Sequence, residues 1–247
     1  ESSINSMMMQ RARQALLATV LLVSVGCSPK FYVPNTQNVP MISSRGQANV
    51  TIAGNGNQVE FQGAYGVSSS VALQVNAGLV VPKAEDNGDG GKGRLFEAGL
   101  GYFRNISPTV LFDVYALAGG GRMENGFPST LSAHPTTTGR ISADVLRFGV
   151  QPSMSVHRRR FSVSGSARIS SLRYRNIQGD LVFGGEDQID YLTDHKTSLL
   201  VEPALTLRFG SETFRIQAQV ARSLNLTTSD FKQDESLATV GVHYRFR

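Results

Sequence analysis

Apolar and polar residues alternate one by one along most of the chain from residue 46 onward, which is the period of a β-strand. The last eleven residues alternate without a break, and one of their two faces consists of Ala238, Val240, Val242, Tyr244 and Phe246. Ten segments follow the pattern, at roughly 47–54, 58–65, 70–81, 94–104, 109–120, 141–156, 161–174, 197–209, 213–224 and 236–246. The pattern predicts an all-β fold.

The connections between these segments alternate in length. Short turns are expected near residues 66–69, 105–108, 157–160 and 210–212, and long polar loops near 82–93, 122–140, 175–196 and 225–235. Only the first hairpin, around residues 55–57, has a short turn where a long loop is due. Outer-membrane barrels have short periplasmic turns and longer extracellular loops. We therefore predict a transmembrane antiparallel up-and-down β-barrel of about ten strands, between eight and twelve, with a periplasmic carboxyl terminus.

The lysines of the chain are distributed unevenly. All five, Lys30, Lys83, Lys92, Lys196 and Lys232, fall in predicted loops or in the amino-terminal tail. A lipid-facing Lys at mid-depth costs about 2–4 kcal/mol, whereas a soluble barrel carries Lys on its solvated strands. The distribution favours a membrane barrel over the competing fold, a soluble periplasmic barrel tethered by lipid. The formal net charge of +5 is too small an excess to indicate nucleic-acid binding.

Aromatic residues cluster beside the predicted short turns and the carboxyl terminus. The set is Tyr65, Tyr102, Phe103, Phe161, Phe209, Phe214, Tyr244 and Phe246. Aromatic girdles mark both membrane interfaces of a transmembrane barrel. We expect these residues to form the periplasmic girdle, and Phe61, Phe96 and Tyr174 to contribute to an outer one.

The inward positions of the predicted strands carry a polar network. Its members are Glu60, Glu97, Asp113, Arg147, Arg168, Glu202, Arg208, Arg215, His243 and Arg245. Side chains just fill a barrel of eight strands, so large polar residues should nearly fill one of ten. We expect the four acids to pair with lumen arginines, because unpaired charges in a narrow interior are costly. The alternative is a narrow channel or transporter for small solutes.

The first 45 residues show no strand pattern. Residues 1–26 are interpreted as upstream residues and a signal peptide, with Arg11 and Arg13 before an apolar run at 15–25 that is too short to span a bilayer as a helix. Cys27, the only cysteine of the chain, ends this run. Residues 27–45, rich in Pro and Asn, are expected to be an extended tether. The barrel is expected to cover residues 46–247.

Two further motifs have the composition of binding or catalytic sites. Residues 86–91 have the composition of a calcium-binding loop but lack its ligand spacing, so we interpret them as a solvated turn and expect no metal site. The third long loop groups acidic residues with a histidine, and His134 of the neighbouring loop could reach it; its members are Glu186, Asp187, Asp190, Asp194 and His195. Ten-stranded outer-membrane proteases use such residues at the outer rim, yet none of their motifs can be matched here. We expect no enzyme, and an outer-rim hydrolase is the alternative.

Residues 24–27, Ser-Val-Gly-Cys, resemble a bacterial lipoprotein box, although Leu is common where Ser24 stands. Residues 27–40 resemble the start of mature outer-membrane β-barrel lipoproteins of Bacteroidota, an uncharacterised family. The resemblance implies a lipid on Cys27 as the only bound group, residence in outer-membrane lipid and biogenesis by the barrel-assembly machinery. It offers no activity to transfer. We expect a monomer with a structural or surface-interaction role, a lumen largely filled by side chains and an unknown surface ligand.

Overall fold

The computed structural model describes residues 28–81, 90–127 and 136–246. In chain order its elements are β1 (Ala48–Gly54), β2 (Gln58–Gly66), β3 (Val71–Val80), β4 (Gly90–Ser107), β5 (Val110–Phe127), β6 (Gly139–His157), β7 (Phe161–Gly179), β8 (Val182–Phe183), β9 (Glu186–Asp187), α1 (Gln188–Asp194), β10 (Thr197–Gly210), β11 (Phe214–Arg222), β12 (Leu224–Asn225) and β13 (Ser236–Phe246). Each of the ten predicted strands is present.

The ten long strands form one closed antiparallel barrel. Neighbours in sequence pair with each other from β1 to β7, then β7 with β10, β10 with β11 and β11 with β13. The last strand closes the barrel on the first, with Ala48 opposite Phe246 and Gly54 opposite Val240. This arrangement confirms the predicted up-and-down barrel of ten strands.

The wall is apolar outside and polar inside. Exposed side chains on the outer surface include Leu73, Leu100, Phe148, Leu205 and Val240. The buried inward positions carry glutamine, glutamate, arginine and serine. A barrel in water would bury its apolar face, so this inversion identifies a wall that contacts lipid. Residues of the described chain include no helix long and apolar enough to cross a membrane.

Three sequence expectations about the wall were wrong. Phe103 and Tyr174, predicted to lie in the girdles, are buried inside the two mouths of the barrel. The register of each strand turns those positions inward, since alternate residues face opposite sides. Lys92, predicted to lie in a loop, belongs to β4 and forms an ion pair of 2.9 Å with Glu124 of β5. Both strands continue beyond the apolar band, where a Lys meets water.

The largest departure concerns the amino-terminal segment. Residues 31–42, hereafter the lumen segment, were expected to belong to a tether outside the barrel, but they lie within it. At the mouth with the long loops, the Phe31 amide donates to the Lys232 carbonyl. At the mouth with the short turns, the Gly46 amide donates to the Gly66 carbonyl. The segment therefore crosses the lumen from the long-loop mouth to the short-turn mouth before β1 begins.

Candidate functional site

The occupied lumen is the candidate functional site. The lumen segment is uncharged, apolar at both ends and polar in the middle. Pro34 and Pro40 keep it extended, because proline fixes φ and restricts the residue before it. An extended segment without a partner strand must find other partners for its backbone groups, and here the side chains of the wall supply them.

Four charged side chains of the wall meet at the middle of the lumen. This charge cluster consists of Glu97, Arg147, Arg168 and Glu202. Arg147 donates from Nε to Glu97 Oε1 at 2.7 Å and forms a second bond to the same carboxylate. Arg168 donates from Nε to Glu202 Oε2 at 2.7 Å. Each of the four side chains is at most 1% exposed, so the cluster is buried and formally neutral.

The lumen segment supplies further hydrogen bonds to the charge cluster. The Tyr32 hydroxyl donates to Glu202 at 2.8 Å and accepts from Arg147 at 2.8 Å. Asn35 accepts from Arg147 through its side chain at 2.7 Å and from Arg168 through its backbone carbonyl at 3.2 Å. Buried ion pairs are tolerated when such bonds satisfy the remaining polar atoms. The segment and the charges therefore stabilise each other.

Glu60, which was predicted to pair with an arginine, binds the lumen segment instead. It accepts from the amide and the hydroxyl of Thr36 at 2.8 and 3.0 Å, and from Gln58 at 2.6 Å. On β11, Gln219 accepts from the Gln37 amide at 2.6 Å and donates to the Gln37 carbonyl at 2.9 Å. Glutamine side chains thus bind the segment as a neighbouring strand would.

Toward the short-turn mouth, the members of the predicted polar network bind separate partners. Arg208 donates to the Val39 carbonyl at 2.7 Å, and Arg215 donates to the Ser162 hydroxyl at 3.2 Å. Asp113 accepts from the Ser153 hydroxyl, which corrects its predicted pairing with an arginine. His243 contacts the Thr51 hydroxyl at 2.9 Å. Arg245 is half-buried at this end of β13.

Apolar side chains close both mouths around the segment. At the short-turn mouth Val39, Met41 and Ile42 pack with wall residues Phe103, Leu111, Tyr115 and Leu117. At the long-loop mouth the Phe31 ring stacks on Tyr191 of α1, with 5.6 Å between centroids, and lies 6.3 Å from Phe231. Sequence alternation could not reveal these contacts, because the segment itself carries no period.

Two residues of the third long loop, Asp187 and His195, make structural contacts at the two ends of α1. Asp187 caps α1 by accepting from the Ile189 amide at 2.7 Å. The His195 ring stacks on Tyr191 at 4.4 Å, and its Nδ1 lies 2.7 Å from the Tyr191 carbonyl. Asp190 and Asp194 are exposed. Within the ranges described, no group of three or more His, Cys, Asp or Glu could hold a metal ion; His134 and residues 86–89 lie outside those ranges.

A cavity of about 370 Å³ lies beside the lumen segment at the long-loop mouth. Its lining includes Ser28, Lys30, Asn55, Leu95 and Asp234. Burial raises the pKa of the Asp234 carboxyl above its usual range, and the nearby Lys30 ammonium opposes part of that rise. Asn55 and Asn57 of the first hairpin turn, where the strands of the barrel are shortest on this side, are among its lining residues.

Several solved structures are similar to this chain. No protein-family model matches the chain, and no curated protein does. The outer membrane protease OmpT from Escherichia coli is 9% identical, with 82% of this chain and 94% of that chain covered and a TM-score of 0.48. The N-terminal barrel domain of Pseudomonas aeruginosa OprF is 13% identical, with 82% of this chain and 98% of that chain covered and a TM-score of 0.35. The KdgM porin is 7% identical, with 81% of this chain and 99% of that chain covered and a TM-score of 0.35.

These proteins carry different roles in their names, and we transfer none of them to this chain. The architecture itself is informative: a closed barrel with an apolar exterior, short turns at one mouth and long loops at the other is that of bacterial outer-membrane proteins. The chain is an outer-membrane β-barrel whose lumen is occupied by its own amino-terminal segment.

Proposed function

We propose that this protein is an outer-membrane lipoprotein barrel with a structural or surface-interaction role, and that its lumen is closed to solutes. One observation carries the proposal: the lumen segment is bound to the wall at successive levels between the two mouths. Displacing it would remove the hydrogen bonds that Tyr32, Asn35 and Thr36 form with charged residues of the wall, and the loss of such bonds in a buried interior is costly. A closed lumen leaves the long-loop surface as the part that can meet other molecules.

The path of the segment gives the proposal a topology. Ser28 and Lys30 line the cavity at the long-loop mouth, and Lys30 donates to the Gln233 carbonyl at 3.4 Å. Cys27 lies outside the described residues, but consecutive Cα atoms are only about 3.8 Å apart. A lipid on Cys27 would therefore emerge on the long-loop side. The low rim at residues 55–57 offers it a route to the outer leaflet, which gives a reason for the one short turn that breaks the alternation of loop lengths.

Conductance in planar bilayers tests the closed lumen. We expect the full chain to show no steady conductance. A variant whose residues 31–42 are replaced by a Gly/Ser sequence of equal length should conduct, provided that heat-modifiable migration on a gel shows a folded barrel. Steady conductance of the full chain would refute the proposal and favour a narrow channel for small solutes.

Surface labelling tests the topology and the lipid. An epitope inserted after Ser28 should be accessible in intact cells, and the same epitope in the turn at 157–160 should be accessible only after permeabilisation. Incorporation of labelled palmitate should be lost in Cys27→Ala. The reverse labelling pattern would show that the long loops face the periplasm. The proposal gives the outer rim no catalytic role, so peptide or lipid hydrolysis that disappears in His195→Ala would contradict it.

A further inference from the structure

A row of arginines crosses the outer surface of the barrel near the long-loop mouth. Arg94 of β4 is paired in register with Arg122 of β5, and Arg122 is paired with Asp144 of β6. Asp144 is in turn paired with Arg175 of β7, and Arg173 faces the same side one step below. We call Arg94, Arg122, Arg173 and Arg175 the basic row.

Three members of the basic row, Arg94, Arg122 and Arg175, lie above the apolar band of the wall, and Arg173 is paired in register with Leu146 at its upper edge. Phe96, the next outward residue below Arg94, is exposed to lipid. On β6 the outward residues Leu146 and Phe148 follow Asp144 toward the apolar band. On β4 and β6 the outward face therefore changes from charged to apolar between these residues, which marks the edge of the hydrocarbon. The guanidinium groups lie at the level of the lipid headgroups of the outer leaflet.

The acids on this surface leave much of the positive charge unbalanced. Asp144 lies 3.2 Å from Arg122, and Glu124 lies 3.5 Å from Arg122 and 2.9 Å from Lys92. The other three arginines, Arg94, Arg173 and Arg175, are exposed and form no ion pair within 4.0 Å among the residues the structure describes. Exposed arginine in this setting favours a planar, multiply charged oxygen ligand, since guanidinium binds phosphate in a bidentate manner.

We propose that the basic row binds the phosphate groups of the phosphorylated glycolipid that forms the outer leaflet of bacterial outer membranes. This inference rests on the outer-membrane location and orientation in the proposed function. Arg94 and Arg175 are three strand spacings apart, or about 14 Å. That span is comparable to a disaccharide with a phosphate at each end. Basic clusters at a membrane surface attract anionic headgroups, by about a factor of five in affinity for each Lys or Arg.

The test uses the full chain in detergent with purified bisphosphorylated lipid A as the probe. The variant Arg94→Gln/Arg173→Gln/Arg175→Gln removes the three arginines without ion pairs. Its matched control, Arg158→Gln/Arg159→Gln/Arg160→Gln, removes the same charge from exposed residues at the short-turn mouth. We expect the first variant to bind on the order of 100-fold more weakly, from three factors of about five, and the control to stay within about twofold of the parent chain.

Dephosphorylated lipid A should bind the parent chain as weakly as the phosphorylated lipid binds the triple variant. Equal binding of the two lipids, or an equal loss in the control variant, would overturn the proposal. Heat-modifiable migration shows whether each variant is folded, and single substitutions replace the triple one if it is not. Conductance and surface labelling test the proposed function, and neither measurement depends on the basic row.

Discussion

Arg147 joins the wall of the barrel to the segment inside it, so its removal tests whether the two stabilise each other. Its side chain is 0% exposed and donates to Glu97, Tyr32 and Asn35. Arg147→Met keeps a long, unbranched side chain but removes every one of these bonds. Glu97 then keeps Arg168 as a charged partner, whose Nη1 is 3.9 Å away, and a hydrogen bond with Asn76.

The expected cost follows from the burial of the pair. Removing one partner of a buried ion pair costs about 3–5 kcal/mol, because the remaining charge keeps its desolvation penalty. Removing both partners avoids the stranded charge. We therefore expect Arg147→Met to lower the free energy of unfolding by about 3–5 kcal/mol, and the double variant with Glu97→Gln to cost less than the sum of the two single changes by about 2 kcal/mol.

Urea unfolding of the chain folded into lipid vesicles measures these values. The chain has no Trp, so far-ultraviolet circular dichroism and heat-modifiable migration are the appropriate probes. The slope of the free energy against urea must stay unchanged for the differences to report stability. The reasoning is refuted if Arg147→Met costs less than about 1 kcal/mol, which is the range of an exposed pair, or if the double variant costs the full sum.

Two further changes probe the short-turn mouth and the outer cavity. A Cβ at Gly101 would lie 2.3 Å from the buried Tyr115 ring, whereas one at Gly165 has open space; Gly101→Ala should lower the free energy of unfolding by about 1–3 kcal/mol and Gly165→Ala should not. The raised pKa of Asp234 means that the folded chain binds this proton more tightly than the unfolded chain, so the carboxyl costs stability as the pH rises through the raised value. Asp234→Asn should raise the urea midpoint at pH 8 and leave it unchanged at pH 3; a larger effect at pH 3 would contradict this sign.

Alternation predicted the strands well where lipid contacts the wall, and less well beyond it. It placed the start of the fourth strand at Arg94, whereas β4 begins at Gly90. It ended the fifth strand at Gly120, whereas β5 continues to Phe127. Above the apolar band the outward face is polar, as at Lys92 and Arg122, and the inward face of β5 carries the buried apolar residues Met123 and Phe127. The alternation is therefore the inverse of that in the band and was not recognised as the same strand.

The sequence predicted which residues face the lumen but not which of them pair with each other. Glu97 and Glu202 pair with lumen arginines as expected, whereas Glu60 and Asp113 do not. Alternation tells which side of the wall a residue occupies. Its height in the lumen depends on strand tilt and register, which the sequence of one strand does not contain. Pairing across the lumen therefore required the structure.

The position of the lumen segment was missed for a related reason. A solvated tether usually carries charges, yet the twelve residues from Phe31 to Ile42 have none. Their apolar ends and polar middle match the apolar mouths and polar centre of the lumen. This match indicates where the segment lies, but it can be recognised only when the dimensions of the barrel are known.

The contacts of the lumen segment also bear on how the barrel closes. The segment is the first part of the described chain, but Gln37 binds Gln219 of β11, 182 residues later. It binds Glu60 of β2 and Arg147 of β6 as well. These partners come together only when β13 has paired with both β11 and β1. Contacts of such long range form late, since the entropy of closing the intervening chain must be overcome first. We therefore expect binding of the segment and closure of the barrel to occur in one cooperative step. The closed strands form the binding site, and the segment supplies hydrogen bonds to the polar groups buried in that site.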